Sequence, residues 1–391
     1  MSHAPTTRAR RAFSLFLFAY LLLYSLPLLE PLWDALLPPL GRALLGVELN
    51  TQYRGSGDRL FDYVRAACCL GFSLLLAGFF SARRPTNPAH LDRLSRWWAR
   101  YYLGIAMLGY GLAKIFRSQF ADLPADWFAT PLGEASPMGL VWRFMGSSAP
   151  YAIIAGLLEF IGGLLLLFPR TSPAGALFLL PVLGNVVLLN FCYDVPVKLG
   201  STHYFLIALV LSAPSLRTVF ELLVLRRPVA PPDLGTAWDS PRAKRFAAPL
   251  RVLLLVLLGG GFLYQRQSIP AAPGIVPRAY QAASLPARDD KAEVPAPETW
   301  EQLFIDSFGW VAVRAAHGES FYLGSLDPQQ AEKLFLREAQ GEFLQIEKTP
   351  DGLLRLSGTF QGKALRAEFV PKALPLVETG FHWVQEAPNN R

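Results

Sequence analysis

About seven apolar runs, each near the length of a bilayer-spanning helix, constrain this chain more than any other feature of its sequence. A hydrocarbon core about 30 Å thick takes roughly 20 mainly apolar residues per helical span. Lipid offers backbone groups no hydrogen-bond partners, so each span is a helix or part of a closed barrel, and continuous runs select helices. Of the 391 residues, 52% are apolar and only 17% charged, and most of that charge lies between the runs. The runs predict spans at Phe13 to Leu29, Leu60 to Phe80, Trp98 to Phe116, Pro150 to Phe168, Ala174 to Cys192, Leu199 to Leu216 and Pro249 to Tyr264.

Arginine placement orients them. Arg8, Arg10 and Arg11 precede the first span, Arg83, Arg84, Arg93, Arg96 and Arg100 lie around the second connection, and Arg217, Arg226, Arg227, Arg242, Lys244, Arg245 and Arg251 lie between the sixth and seventh. The alternate connections carry fewer, chiefly Arg42, Arg54, Arg117, Arg143 and Lys198. The positive-inside rule then puts the N-terminus in the cytoplasm and, after an odd number of spans, the C-terminus outside the cell (inner) membrane. A basic stretch before an apolar one also describes a signal peptide. Tyr20 and Tyr24 within the run, and the lack of a small-residue cleavage site after it, favour an uncleaved helix.

The net charge of +7 belongs to these helix ends facing anionic headgroups, so nucleic acid is not an expected partner. Cys68, Cys69 and Cys192 contain no CxxC pair, which signals neither a disulfide framework nor a thiolate metal site.

The expected architecture is an α-helical membrane bundle over residues 1–264, a Pro/Ala-rich tether over 265–298 and a small all-β extracytoplasmic domain over 299–391. The tether has no helical or strand periodicity. In the last segment "LFIDSFGWVAVR", "ESFYLGSL", "EFLQIEKT", "LLRLSGTF" and "ALRAEFV" alternate, with turn signals at His317-Gly318, Asp351-Gly352 and Gln361-Gly362, as in an antiparallel sheet or small barrel. "DPQQAEK" reads as a helical turn between strands. Its aromatic residues, at strand spacing, are chiefly core.

Ionisable residues inside spans are costly and mark the places to look for function. Lys114 and Arg117 end the third span on one face with Tyr110. Glu159 sits near mid-depth of the fourth, bracketed by Gly156 and Gly163, which allow close helix approach. Asn185 and Asn190 lie in the outer half of the fifth span, Asp194 precedes the sixth, and Lys198 and His203 fall on its first two turns. Asp58, Asp62 and Arg65 share a face at the outer end of the second. Each also has a plainer role open to it: snorkelling for the cations, structural pairing for Asp62 with Arg65 or Asp194 with Lys198, and interhelical hydrogen bonding for the asparagines. His203 has no HxxxH or HxxE partner and signals no metal site. The candidate ligand-binding set is Lys114, Glu159, Asn185, Asn190, Asp194, Lys198, His203, Asp58 and Arg65. Glu159, Lys114, Asp194, Lys198 and Asn190 are expected to meet in one water-accessible cavity, with Asp58, Arg65 and His203 at its rim. A buried Glu159 requires a cation, and Lys114 is the best candidate by chain position.

Together, "GLAKIF", "LLEFIGGLLLLFPRTSPAGAL", "NFCYDVPVKL" and the loop "RGSGD" resemble the DoxX-like family of bacterial membrane proteins over Tyr53 to Pro228. The terminal "GFHWVQEAPNNR" is similar to the ending of longer members that carry a β domain. The resemblance implies four core helices with extra spans. Its namesake is associated with quinone-linked sulfur oxidation. This chain has no haem-ligand histidine pair in its spans, no flavin or nicotinamide fingerprint and no cysteine pair for thiosulfate chemistry, and no nucleophile elbow, HExxH or P-loop. The leading expectation is therefore a non-enzymatic binding or assembly protein that holds membrane lipid, quinone or another small molecule. The alternatives are a quinone-linked redox subunit working with other membrane subunits, and a small-molecule transporter, against which stands the lack of an inverted repeat.

Overall fold

The computed structural model describes residues 8–52, 55–83, 88–124, 127, 130–230, 241–267, 278–283, 299–306, 308–316, 318–327, 333–337 and 343–374. The expected helical turn at "DPQQAEK" and the terminal "GFHWVQEAPNNR" lie wholly or mostly outside them. The chain divides into two compact units, Met1–Phe116 with Ile153–Phe262, and Arg117–Ala152 with Leu263–Arg391.

The helices are α1 (Arg8–Ser25), α2 (Glu30–Leu45), α3 (Leu60–Arg83), α4 (Pro88–Ile115), α5 (Pro137–Ser147), α6 (Ala149–Leu167), α7 (Ser172–Cys192), α8 (Lys198–Leu223) and α9 (Pro241–Gln267). Seven of them, all but α2 and α5, are 18 to 28 residues long and occupy the seven expected places. α3, α6, α7 and α8 are long and apolar enough to cross a membrane by length and composition alone. α4 and α9 carry charge on their first turns, and the uncharged part of α9 is short.

Two boundaries differ from expectation for identifiable reasons. α1 stops at Ser25 rather than Leu29 because Pro27 forces Leu26 into extended backbone, φ −85° and ψ 111°, as the residue before proline requires. The chain then bends by 69° into α2, a helix absent from the sequence reading because Pro38 and Pro39 lie inside it. It ends at Gly46, φ 66°, a left-handed cap that glycine adopts without steric penalty. α4 starts ten residues before Trp98, since its first turns are charged and carry no apolar signal.

Contacts along the helices fix their directions. Ser14 donates to Asp92 at 2.5 Å and Trp98 Nε1 to Ser25 Oγ at 2.6 Å, so α1 and α4 run parallel. Phe262 stacks on Phe116 at 6.2 Å and Arg251 reaches Tyr101, so α9 is parallel to α4 too. α6 is antiparallel to α4: Gly104 faces Gly163 and Gly111 faces Gly156, and a Cβ on Gly111 or Gly156 would lie 2.7 Å from the other's carbonyl oxygen. Without a hydrophobic driving force in lipid, such backbone-to-backbone packing is a main source of helix association. Leu103, Met107, Leu166, Leu179, Leu183 and Ala208 fill one core, and Trp33, Leu37, Leu49, Phe61 and Cys69 a second under α2.

The C-terminal domain is a closed barrel of eight antiparallel strands in sequential order: β1 (Arg278–Ala282), β2 (Trp300–Ile305), β3 (Trp310–Ala315), β4 (Ser320–Leu326), β5 (Lys333–Leu336), β6 (Phe343–Lys348), β7 (Leu354–Phe360) and β8 (Lys363–Lys372). "LFIDSFGWVAVR" is two strands rather than one segment. Asp306 Oδ1 accepts from the backbone N–H of Phe308 and Trp310, both at 2.9 Å, and closes the turn with Gly309 at φ 83°. The stretch taken as tether holds β1, which pairs with β2 (Tyr280↔Leu303) and with β8 (Gln281↔Val370) and so seals the barrel. A five-residue strand with two alanines has little propensity of its own, and its partners on both edges supply the structure. Alternate residues point inward and fill the interior, with Trp300, Leu303, Val313, Leu334, Leu344, Leu356 and Phe369 all within 1% of full burial. At Gly324 the backbone of β4 meets the Phe335 carbonyl too closely for any Cβ.

Candidate functional site

The glycine seam between α4 and α6 brings two buried charges together. Lys114 Nζ donates to Glu159 Oε2 at 2.7 Å, and the two residues are 7% and 3% exposed. The pair is held between helices whose glycines admit no side chain, so its geometry is set by backbone contact. Both charges are neutralised locally, the condition under which a carboxylate persists in so dry a place.

A layer of aromatic hydroxyls adjoins the pair. Lys114 Nζ lies 5.6 Å from the centre of the Tyr110 ring, an attraction between ammonium and π-face. Tyr204 packs against Tyr110 and Tyr102, with ring centres 6.0 and 5.9 Å away. On the same turn of α8, His203 stacks on Tyr24 at 4.0 Å and its Nε2 meets the Tyr20 hydroxyl at 2.5 Å. His203 Nδ1 lies 2.7 Å from the Leu199 carbonyl oxygen. A carbonyl oxygen can only accept, so Nδ1 carries the proton and, in the neutral ring, Nε2 accepts from Tyr20. Arg65 of α3 lies over the Tyr24 ring at 5.4 Å and bonds Glu30 at 2.6 Å.

The third group joins the loop before α3 to the start of α8. Asp58 accepts from the backbone N–H of Lys198 and of Leu199, both at 2.9 Å, and Lys198 Nζ reaches Asp194 at 2.7 Å and Asp58 at 3.6 Å. Gly57 N donates to the Pro196 carbonyl at 2.8 Å. A carboxylate on the first free N–H groups of a helix satisfies orphan donors and the positive end of the helix dipole together. Asp58→Ala is accordingly expected to lower stability by about 1–2 kcal/mol. Asp194→Ala, at a side chain 83% exposed, should cost under about 0.5 kcal/mol. Thermal unfolding of both variants in one detergent checks this, and equal losses would remove the capping role.

Several sequence expectations change here. Asp62 pairs with Arg59, not Arg65, through two bonds of 2.9 Å, and that hydrogen bond pushes the Arg59 guanidinium above its ordinary pKa. Arg65 turns instead to Glu30, 35 positions earlier. Seven of the nine candidates fall into the groups just described: Lys114 with Glu159, Arg65 and His203 around Tyr24, and Asp58, Asp194 and Lys198 at the start of α8. Asn185 is exposed on α7. Asn190 is 6% exposed, its Nδ2 has no partner among the described residues and its backbone carbonyl accepts from Val195 N at 3.0 Å. Among the described residues no three His, Cys, Asp or Glu side chains gather as metal ligands would. The sequence points to Tyr20, Tyr24 and Tyr110 only as span residues, not as site candidates, and to Tyr102 and Tyr204 not at all. Their spacing held the signal: 20 and 24 are one turn apart, and 102 and 110 two turns, so each pair shares a face.

A bundle of spanning helices, closed on a buried Lys–Glu pair and followed by a β-barrel, defines a polytopic membrane protein with an appended β domain. The family model described as DoxX matches residues 97–189, which hold α6, most of α4 and α7, and both residues of that pair. The uncharacterized protein YwoB of Bacillus subtilis (strain 168) is 35% identical over 115 residues, 29% of this chain and 71% of that protein. No solved structure matches significantly. The chain belongs to the DoxX family.

Proposed function

We propose that this is a non-enzymatic binding or assembly protein of the cell (inner) membrane, which holds a small apolar molecule with a polar head between helices in the outer half of its bundle. What supports the reading is the layer formed by Tyr20 and Tyr24 of α1, Arg65 of α3, Tyr102 and Tyr110 of α4, and His203 and Tyr204 of α8. Four helices contribute hydroxyl, imidazole and guanidinium groups beside flat aromatic faces. That chemistry suits a ring bearing carbonyl acceptors, and a quinone is the ligand of choice. The arginine-rich ends where α1, α4 and α9 begin face the cytoplasm in this reading, and the barrel is extracytoplasmic.

A second reading, a quinone-linked redox subunit, draws on one observation. The Tyr20–His203 contact joins a hydroxyl to an imidazole, a hydrogen-bonded pair through which a proton could pass, as a partner enzyme's quinol oxidation would need.

Gentle extraction into lipid discs followed by mass spectrometry and an absorption spectrum tests both. The binding reading expects a stoichiometric apolar ligand that is depleted in Tyr24→Phe and Arg65→Gln. A protein that folds and holds nothing beyond bulk lipid would sink it. Redox-active absorption that depends on a co-purifying subunit would favour the second reading. An alkaline phosphatase fused after Arg391 is expected to be active, and inactivity in a stably inserted chain would reverse the orientation.

A further inference from the structure

Where the uncharged stretches of α4 and α9 begin, two arginines meet without a carboxylate among the described residues. Arg251 of α9 donates from Nε and Nη2 to the Tyr101 hydroxyl at 3.3 and 3.2 Å, and its guanidinium lies 5.2 Å from the centre of the Phe168 ring. Arg100 lies over the Tyr101 ring from α4, at 5.1 Å, close enough for the two cations to repel. Both are half-buried, neither has an acidic partner among the described residues, and Arg100 Nε is buried without any hydrogen bond. Two other cations on these helices are matched, Lys114 by Glu159 and Arg65 by Glu30. Two like charges half out of water raise the energy of the bundle unless an anion joins them.

We propose that Arg100, Tyr101 and Arg251 form a binding site for a phosphate-bearing anion at the membrane interface. Two guanidinium forks match the oxygens of a phosphate. The Tyr101 hydroxyl accepts from Arg251 and keeps its own hydrogen to donate. The depth fits a phospholipid headgroup, because Arg100 and Arg251 each stand at the start of an uncharged stretch, 101–113 and 252–264, and Phe168 follows the last turn of α6. Trp97, tilted on Tyr101 at 5.1 Å, supplies the aromatic belt expected at that level. Basic pockets between helices on the cytoplasmic side are suited to anionic headgroups. Inorganic phosphate carries the same chemistry without the acyl chains.

The test is native mass spectrometry of the full-length protein titrated separately with phosphatidylglycerol, phosphatidylcholine and inorganic phosphate. Binding of phosphatidylglycerol over phosphatidylcholine is expected, falling about thirty-fold in Arg100→Gln/Arg251→Gln, the loss of two basic contacts near a membrane surface. Retention of inorganic phosphate with the same dependence on the two arginines would support the site and identify a soluble anion as its source. Should the double variant fail to accumulate, Arg251→Lys keeps the charge, loses the fork and is expected to bind about tenfold more weakly. Anion binding unchanged in these variants, or no preference for either anion over phosphatidylcholine, overturns the proposal.

Discussion

Glu159→Gln alone will destabilise the helical unit by about 3–5 kcal/mol, because it leaves the Lys114 ammonium buried without its counter-charge. Lys114→Met alone will cost a comparable amount by orphaning the carboxylate. The two together should recover most of the loss, since removing both charges abolishes the desolvation penalty along with the attraction. Unfolding of the four proteins in a common detergent measures the coupling directly. Strictly additive losses would mean that the 2.7 Å contact carries no pairwise energy and that each residue acts by packing alone. The glycine seam sharpens the expectation. The backbones of α4 and α6 already touch at Gly111 and Gly156, so the helices cannot separate or rotate to hydrate a stranded charge without breaking that packing.

The second large effect concerns the barrel. A fragment from Gly274 to Arg391 contains all eight strands and is expected to be soluble, monomeric and cooperatively folded, with a sheet-dominated circular dichroism spectrum. A fragment from Thr299 lacks β1, which pairs along both β2 and β8. It therefore exposes two long strand edges and opens the interior where Tyr280 is 3% exposed. Unpaired edges template association, so the shorter fragment should aggregate or melt well below the longer one. Matching melting curves would show that closure by β1 adds nothing to the fold.

The spans were legible because lipid imposes a length and an apolarity that no tertiary contact can waive. What escaped were elements whose stability comes from elsewhere. α2 contains Pro38 and Pro39, yet Trp33 and Leu37 anchor it on α1 and α3. β1 is held by its neighbours. Within the candidate site, Lys114 and Glu159 could be matched from depth alone, since the only question was which cation ends at the level of one carboxylate. Asp62 could not be assigned, because Arg59 and Arg65 are both three positions away in sequence and only the fold shows that Arg65 is drawn off by Glu30. The tyrosines were hidden by their double nature: the rings of Tyr20, Tyr24, Tyr102 and Tyr204 pack against the cores, and the hydroxyls matter only once α1, α4 and α8 are adjacent.

The contact between Asp58 and the start of α8 has a consequence in time. Its partners are separated by 140 residues, which at about 5–20 residues per second corresponds to roughly 7 to 28 s of synthesis. Throughout that interval the loop before α3 carries a carboxylate whose structural partner does not yet exist, while α4, α6 and α7 are made and assembled. When α8 emerges, its leading N–H groups meet an acceptor made early, and one pair of hydrogen bonds registers the late helix against the earliest part of the bundle. A ribosome stalled just before Lys198 should therefore leave this loop open to cleavage by added protease, and one stalled after Leu223 has emerged should leave it protected.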